Sequence, residues 1–208
     1  MRIHVKICGI TRLDDALLAE ELGASAVGFV FYPPSSRVIS PENAGTISCA
    51  LGPFIARIGV FVDEDPGMVM ETVRKARLTA VQLHGSESPE YVRELQGVRI
   101  IKAFRIGKDF DSEILGRYDV SAYLLDAYSE CSYGGTGQTF DWERAVACSR
   151  FGRIILAGGL TANNIGNAVR MVKPWGVDVS SGIERQPGEK DPEKMRAFFN
   201  TIKRELAK

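Results

Sequence analysis

IHVKICGITRLDDALLAEELGASAVGFVF, residues 3–31, holds the unit from which the fold is built. Its ends, Ile3–Cys8 and Ala26–Phe31, are short runs rich in valine, isoleucine and phenylalanine. Between them Leu13–Leu22 spaces apolar residues among charges as one face of a helix does. A strand, a helix and a second strand in that order make a βαβ unit, whose strands lie parallel because the helix has to cross back over the sheet.

The same alternation continues along the chain. Further strands are expected at Ile55–Val62, Ala80–Leu83, Arg99–Phe104, Ala122–Asp126, Ile154–Ala157 and Val177–Ser180, and helices at Pro66–Arg77, Pro89–Leu95, Asp141–Ser149, Ala162–Val172 and Pro192–Leu206. Thr161 and Asp191 stand where N-caps belong, and Pro192 suits a first helical turn. The helical signal is weakest at Ser40–Ala50 and Asp109–Leu115. Eight units in 208 residues, about 26 residues each, leave little room for a second domain. Alternation also fits an open doubly wound sheet. Eight units without a break favour closure, so the expected fold is α/β, a single-domain (β/α)8 TIM barrel over 1–208, short of the typical length of about 250 residues.

Such a barrel works at the C-terminal ends of its strands. The residues expected at that rim are Cys8-Gly9, Tyr32–Arg37, Asp63, His84-Gly85, Arg105, Asp126 and the segment after it, Gly158-Gly159, and Ser180–Gly182. A strand-end cysteine points its thiol into the mouth, and as a thiolate it is a base. Asp126 closes the apolar run Tyr123-Leu124-Leu125, where a carboxylate either orders a loop or serves as an acid. Gly158-Gly159 before a helix and Ser180-Ser181 after the last strand match the place where barrels hold a phosphate. Arg37, behind Pro33-Pro34, has the planar fork that suits a carboxylate. His84 either donates a hydrogen bond to a substrate or orders its own loop, and the site role is favoured. Gly134-Gly135, in the glycine-rich segment after Asp126, are read as substrate-binding positions. His4 is assigned to packing, and Cys49, Cys131 and Cys148 are given no chemical role.

Composition narrows the partners. Lysine plus arginine balance aspartate plus glutamate at 26 each, so no basic field gathers nucleic acid or an anionic membrane. Four scattered cysteines, none in a Cys-x-x-Cys pair, fit a reducing compartment. MRIHVKICGI lacks the unbroken apolar core of a signal peptide, and no run approaches the roughly 18 apolar residues of a membrane helix, so a cytoplasmic location is expected. Two histidines eighty positions apart offer no metal cluster, and neither G-x-G-x-x-G nor a P-loop is complete. No metal and no cofactor are expected. The partner is a small molecule, and the chain is expected to act as a monomer or homodimer.

The segments VKICGIT (5–11), GFVFYPPSSR (28–37), VQLHG (81–85), LLDA (124–127), GGTGQTFDW (134–142), LAGGL (156–160) and DVSSGIE (178–184) resemble, in order, those of the phosphoribosylanthranilate isomerases. That resemblance implies a (β/α)8 barrel that rearranges N-(5-phosphoribosyl)anthranilate to the deoxyribulose phosphate in tryptophan biosynthesis, without cofactor. It implies Cys8 as base, Asp126 as acid, Arg37 on the anthranilate carboxylate, and the amides near Gly158-Gly159 and Ser180-Ser181 on the phosphate. Two other readings compete. A related barrel isomerase of histidine biosynthesis resembles a design with two aspartates, whereas position 8 here is cysteine. A non-catalytic sugar-phosphate binder would need neither Cys8 nor Asp126.

Overall fold

A computed structural model describes residues 3–107, 109–126 and 142–207. Eight parallel strands close on themselves: β1 (His4–Cys8), β2 (Ala26–Val30), β3 (Ala56–Phe61), β4 (Ala80–Leu83), β5 (Arg99–Arg105), β6 (Ala122–Asp126), β7 (Ile154–Ala157) and β8 (Gly176–Val179). Closure is made by β1 against β8, with Val5 paired to Val177 and Ile7 to Val179. The open-sheet alternative is thereby excluded, since a closed ladder leaves no edge.

Helices α1 (Leu13–Leu22), α2 (Pro41–Ala50), α3 (Pro66–Lys75), α4 (Pro89–Glu94), α5 (Trp142–Cys148), α6 (Ile165–Val172) and α7 (Pro192–Leu206) follow the strands. Four of them start alike. Ser40, Asp65, Ser88 and Asp191 each accept a main-chain N–H of the first turn, and each is followed by proline, whose missing N–H costs nothing there. Gly23 ends α1 with φ +98°, and its amide returns to Ala19 and Glu20.

Strand residues alternate between two apolar layers. Outward-facing Val5, Ile7, Val27, Phe29, Val81 and Leu83 pack under the helices, and α7 lays Met195, Phe198, Phe199 and Ile202 on that layer at helical spacing. Inward-facing residues are smaller: Ala26, Ile58, Ala80, Ile101, Ala103, Leu124 and Ala157. The interior also holds charge. Lys6 and Asp178 point inward with side-chain exposures of 4% and 8%, and bond each other at 3.0 Å.

Two expectations are corrected, and one element is added. The fifth unit has no α-helix but a 3-10 segment, Ser112–Arg117, capped by Asp111. Thr161 is not an N-cap: α6 begins at Ile165, because the Asn164 side chain accepts the Thr161 N–H at 2.8 Å and donates to the Gly159 carbonyl at 2.9 Å, keeping 159–164 as a turn. A short antiparallel hairpin after the barrel, β9 (Glu184–Gln186) with β10 (Glu189–Lys190), was not foreseen.

Candidate active site

Alternation decides which strand-end side chains face the mouth. On β1, Lys6 and Cys8 share the inward face, and Cys8 stands in register with Gly28 on β2. On β4 and its exit, Gln82 and His84 share it; on β6, Leu124 and Asp126 do. Cys8, His84 and Asp126 therefore converge at one end of the barrel. His84 Nε2 lies 3.4 Å from Asp126 Oδ2, and the Gln82 amide lies 2.8 Å from His84 Nδ1. Gln82 thus holds one ring nitrogen of His84 while the other lies against the Asp126 carboxylate.

Cys8 is buried in a web of charge. The Lys190 ammonium donates to the Cys8 carbonyl at 2.5 Å and to Glu184 Oε1 at 2.9 Å. Glu184 in turn takes Arg37 through both oxygens, Nε to Oε1 at 2.8 Å and Nη2 to Oε2 at 2.6 Å. The hairpin β9–β10 thus fixes Arg37 over the mouth. Only two of its five N–H groups are used by Glu184, so its outer edge can still meet a second carboxylate. Hydrogen bonding to Glu184 raises the Arg37 pKa above its ordinary value. Burial works to raise Glu184, but the bonds from Arg37 and Lys190 bring it below the usual carboxylate range.

The Cys8 thiol is pushed above its ordinary pKa, first by burial and then by the Asp178 carboxylate, while Lys6 and Lys190 pull it back. Close packing sets these groups. A Cβ on Gly9, which has φ +73°, would come within 2.6 Å of Arg37 Cδ and 3.2 Å of Ser180 Oγ, so only glycine lets β1 end between them.

The phosphate-binding loops expected from sequence also meet. Gly158 and Gly159 carry φ of +87° and +60° in the turn after β7. A Cβ on Gly182 would overlap the Leu160 carbonyl at 1.8 Å, so the turn after β8 lies directly on the turn after β7. Ser180 Oγ is buried there with no hydrogen-bond partner among the described residues, and Ser181 beside it is exposed. Gly134 and Gly135 lie outside the described residues, as does Cys131. A cavity of about 820 Å³ opens at the opposite end of the barrel, among the strand starts His4, Ala26, Ala56 and Ala80, away from the rim where such barrels work. Among the described residues no group of three or more His, Cys, Asp or Glu could hold a metal ion, and no helix is long and apolar enough to cross a membrane.

A family model described as N-(5'-phosphoribosyl)anthranilate (PRA) isomerase matches residues 5–201. The chain belongs to this family. The N-(5'-phosphoribosyl)anthranilate isomerase of Geobacter sulfurreducens is 50% identical over 97% of this chain and 98% of its own. The crystal structure of phosphoribosyl anthranilate isomerase from Thermotoga maritima superposes with a TM-score of 0.89 at 43% identity, covering 97% of this chain and 99% of that one. A phosphoribosyl anthranilate isomerase solved in complex with reduced 1-(o-carboxyphenylamino)-1-deoxyribulose 5-phosphate gives 0.86 at 42% identity, with the same coverage.

For this member of the isomerase family, the structure brings Cys8, Arg37, His84, Asp126, Gly158, Gly159, Ser180 and Ser181 to one rim. Sequence reasoning missed Lys6, Gln82, Asp178, Glu184 and Lys190. The signal for two of them was there. Lys6 stands two residues before Cys8 and Asp178 two before Ser180, in otherwise apolar runs, so alternation alone puts each on the face of its partner.

Proposed function

We propose that the chain isomerises N-(5'-phosphoribosyl)anthranilate to 1-(2-carboxyphenylamino)-1-deoxyribulose 5-phosphate, the tryptophan-pathway step of its family, with Cys8 as general base and Asp126 as general acid. One observation carries the reading: a thiol and a carboxyl group face one mouth from β1 and β6, with an anchored guanidinium after β2 and paired glycine turns after β7 and β8. The substrate has a carboxylate at one end and a phosphate at the other. Arg37 takes the first through its free edge. The turns at Gly158-Gly159 and Ser180-Ser181 take the second, with the unpartnered Ser180 hydroxyl among the donors. Two fixed ends place the sugar between acid and base, which converts encounter into a positioned reaction.

Asp126 gives its proton to the ribose ring oxygen, and the C1–O bond opens to a protonated Schiff base. Cys8, as thiolate, takes the proton from C2, and the electron pair moves into the C1–C2 bond to give an enolamine. The enolamine tautomerises to the ketone. No electron enters or leaves, so neither metal nor redox cofactor is required by the balance. His84 holds the Asp126 carboxyl group from the side.

The direct test follows anthranilate fluorescence as purified protein acts on freshly made phosphoribosylanthranilate. Turnover is expected. Tight binding of the substrate without turnover would leave a phosphate-binding barrel and remove the enzyme reading. Arg37→Met is expected to raise KM by about ten- to a hundredfold, the worth of roughly 1.5–3 kcal/mol for a hydrogen bond to a charged group, with a smaller change in kcat. An unchanged KM would take Arg37 away from the carboxylate.

A further inference from the structure

We propose that Lys6 is a positioning residue for this isomerisation: its ammonium, clamped by Asp178 beneath the mouth, is the counter-charge on which the Cys8 thiolate rests. The assignment rests on Cys8 being the base. It starts from a buried ion pair that stability does not explain. Removing two charges from water costs several kcal/mol per ion, and apolar side chains of similar size would fill a barrel interior at least as well. Yet Lys6 and Asp178 are held there, beside an inward cluster of alanine, isoleucine and leucine.

Geometry aims the pair at the sulfur. Two N–H groups of Lys6 serve the two oxygens of Asp178, each at 3.0 Å, which leaves the third. A Cβ built on Gly28 would lie 3.0 Å from Lys6 Nζ and also 3.0 Å from Cys8 Sγ. Ammonium and sulfur therefore border the same small gap, kept open because position 28 has no side chain.

The surrounding charges point the same way. Facing Cys8 are Lys6 from its own strand, Asp178 from β8, Lys190 from β10 and Arg37 from the loop after β2. Glu184 on β9 ties Arg37 to Lys190. Asp15 on α1 accepts the Lys190 main-chain N–H and lies within the field of Arg12. Asp126 and His84 stand on the opposite wall. Among the described residues, the cations nearest Cys8 are Lys6, Lys190 and Arg37, with Asp178 and Glu184 as their direct carboxylate partners and Asp15 behind Lys190. Burial works to discharge Lys6, but Asp178 and Cys8 more than offset it and keep the ammonium charged. Lys190, by contrast, is lowered by its burial and spends its bonds on Glu184 and on main-chain carbonyls.

The test reads the sulfur, not turnover. Alkylation of Cys8 by iodoacetamide, followed by peptide mass spectrometry across pH, is compared in the wild type, Lys6→Met and Lys6→Gln, with circular dichroism to establish folding. Lys6→Gln keeps a donor for Asp178 while removing the charge. In a folded variant the Cys8 profile is expected to move up by about one pH unit, so that alkylation at neutral pH slows about tenfold. The limb of kcat/KM that follows the Cys8 ionisation should move with it while KM changes little. Folded variants with a wild-type profile, or a chain that unfolds with both substitutions, would make the pair structural and overturn the assignment. If the wild type shows no isomerase activity but the profile still shifts, the charge coupling stands and the proposed reaction falls.

Discussion

Cys8→Ser and Asp126→Asn are each expected to lower kcat/KM by about 10²–10⁴, the usual range for removing one general acid or base. Both replacements keep size and can keep a hydrogen bond, so the fold and the two anchoring ends of the site should survive. A serine hydroxyl holds its proton far too tightly to act as a base near neutral pH, and a carboxamide has no acidic proton to give. Binding of a reduced product analogue should therefore stay near the wild-type level while turnover collapses. The two losses should not add in the double variant, because acid and base act on the same transition state. Loss of binding together with turnover would instead assign both residues to holding the substrate.

The same pair sets a direction with pH. A base acts deprotonated, and the Cys8 thiol is held above its ordinary value by burial and by Asp178. The reactive form carries Cys8 deprotonated and Asp126 protonated, so kcat/KM is expected to pass through a maximum with pH, and the limb that follows the Cys8 ionisation should be absent from the residual activity of Cys8→Ser.

Why the barrel could be read from sequence, and the web around Cys8 could not, follows from what each depends on. Ala80–Leu83, Ala122–Asp126 and Ile154–Ala157 form strands with the expected bounds because turn residues or charges bracket each apolar run. Leu13–Leu22 and Pro192–Leu206 likewise match, the latter fixed by its Asp-Pro start. Position 8 or 126 at the end of such a run is a rim position once the barrel is recognised. The hairpin Glu184–Lys190 has no apolar alternation, and its Glu184 is held by Lys190 within the hairpin and by Arg37 from 147 residues away in the chain. Alternation places Lys6 on the face of Cys8, but only closure of the barrel makes that face an interior, and only the register of β1 with β8 brings Lys6 to Asp178.

The largest effect on stability is expected from Lys102→Met. Lys102 lies on the outward face of β5, yet its side chain is 2% exposed, and its ammonium donates to Glu87 Oε2 at 2.8 Å, to the Gly85 carbonyl at 2.8 Å and to the Leu83 carbonyl at 3.4 Å. Glu87, 1% exposed, also accepts the N–H groups of Asp63 and Gly85. This cluster fastens the turn that leaves β4 just after His84. It also holds Asp63 at φ +50°, where its carboxylate accepts the Ser86 amide. Methionine fills the space of lysine but leaves a buried carboxylate without its cation, a loss of about 3–5 kcal/mol. For a domain of this size that lowers Tm by an amount on the order of 10 °C. Lys102→Met combined with Glu87→Gln should recover much of the loss, because the neutral amide no longer needs a counter-charge and can still accept both N–H groups. Urea unfolding of the two variants separates the outcomes. Equal losses in the single and double variants would mean that lysine's packing, and not the unpaired charge, holds the turn. Recovery would show that the cost of Lys102→Met comes from the Glu87 carboxylate left without its cation, and not from lost packing.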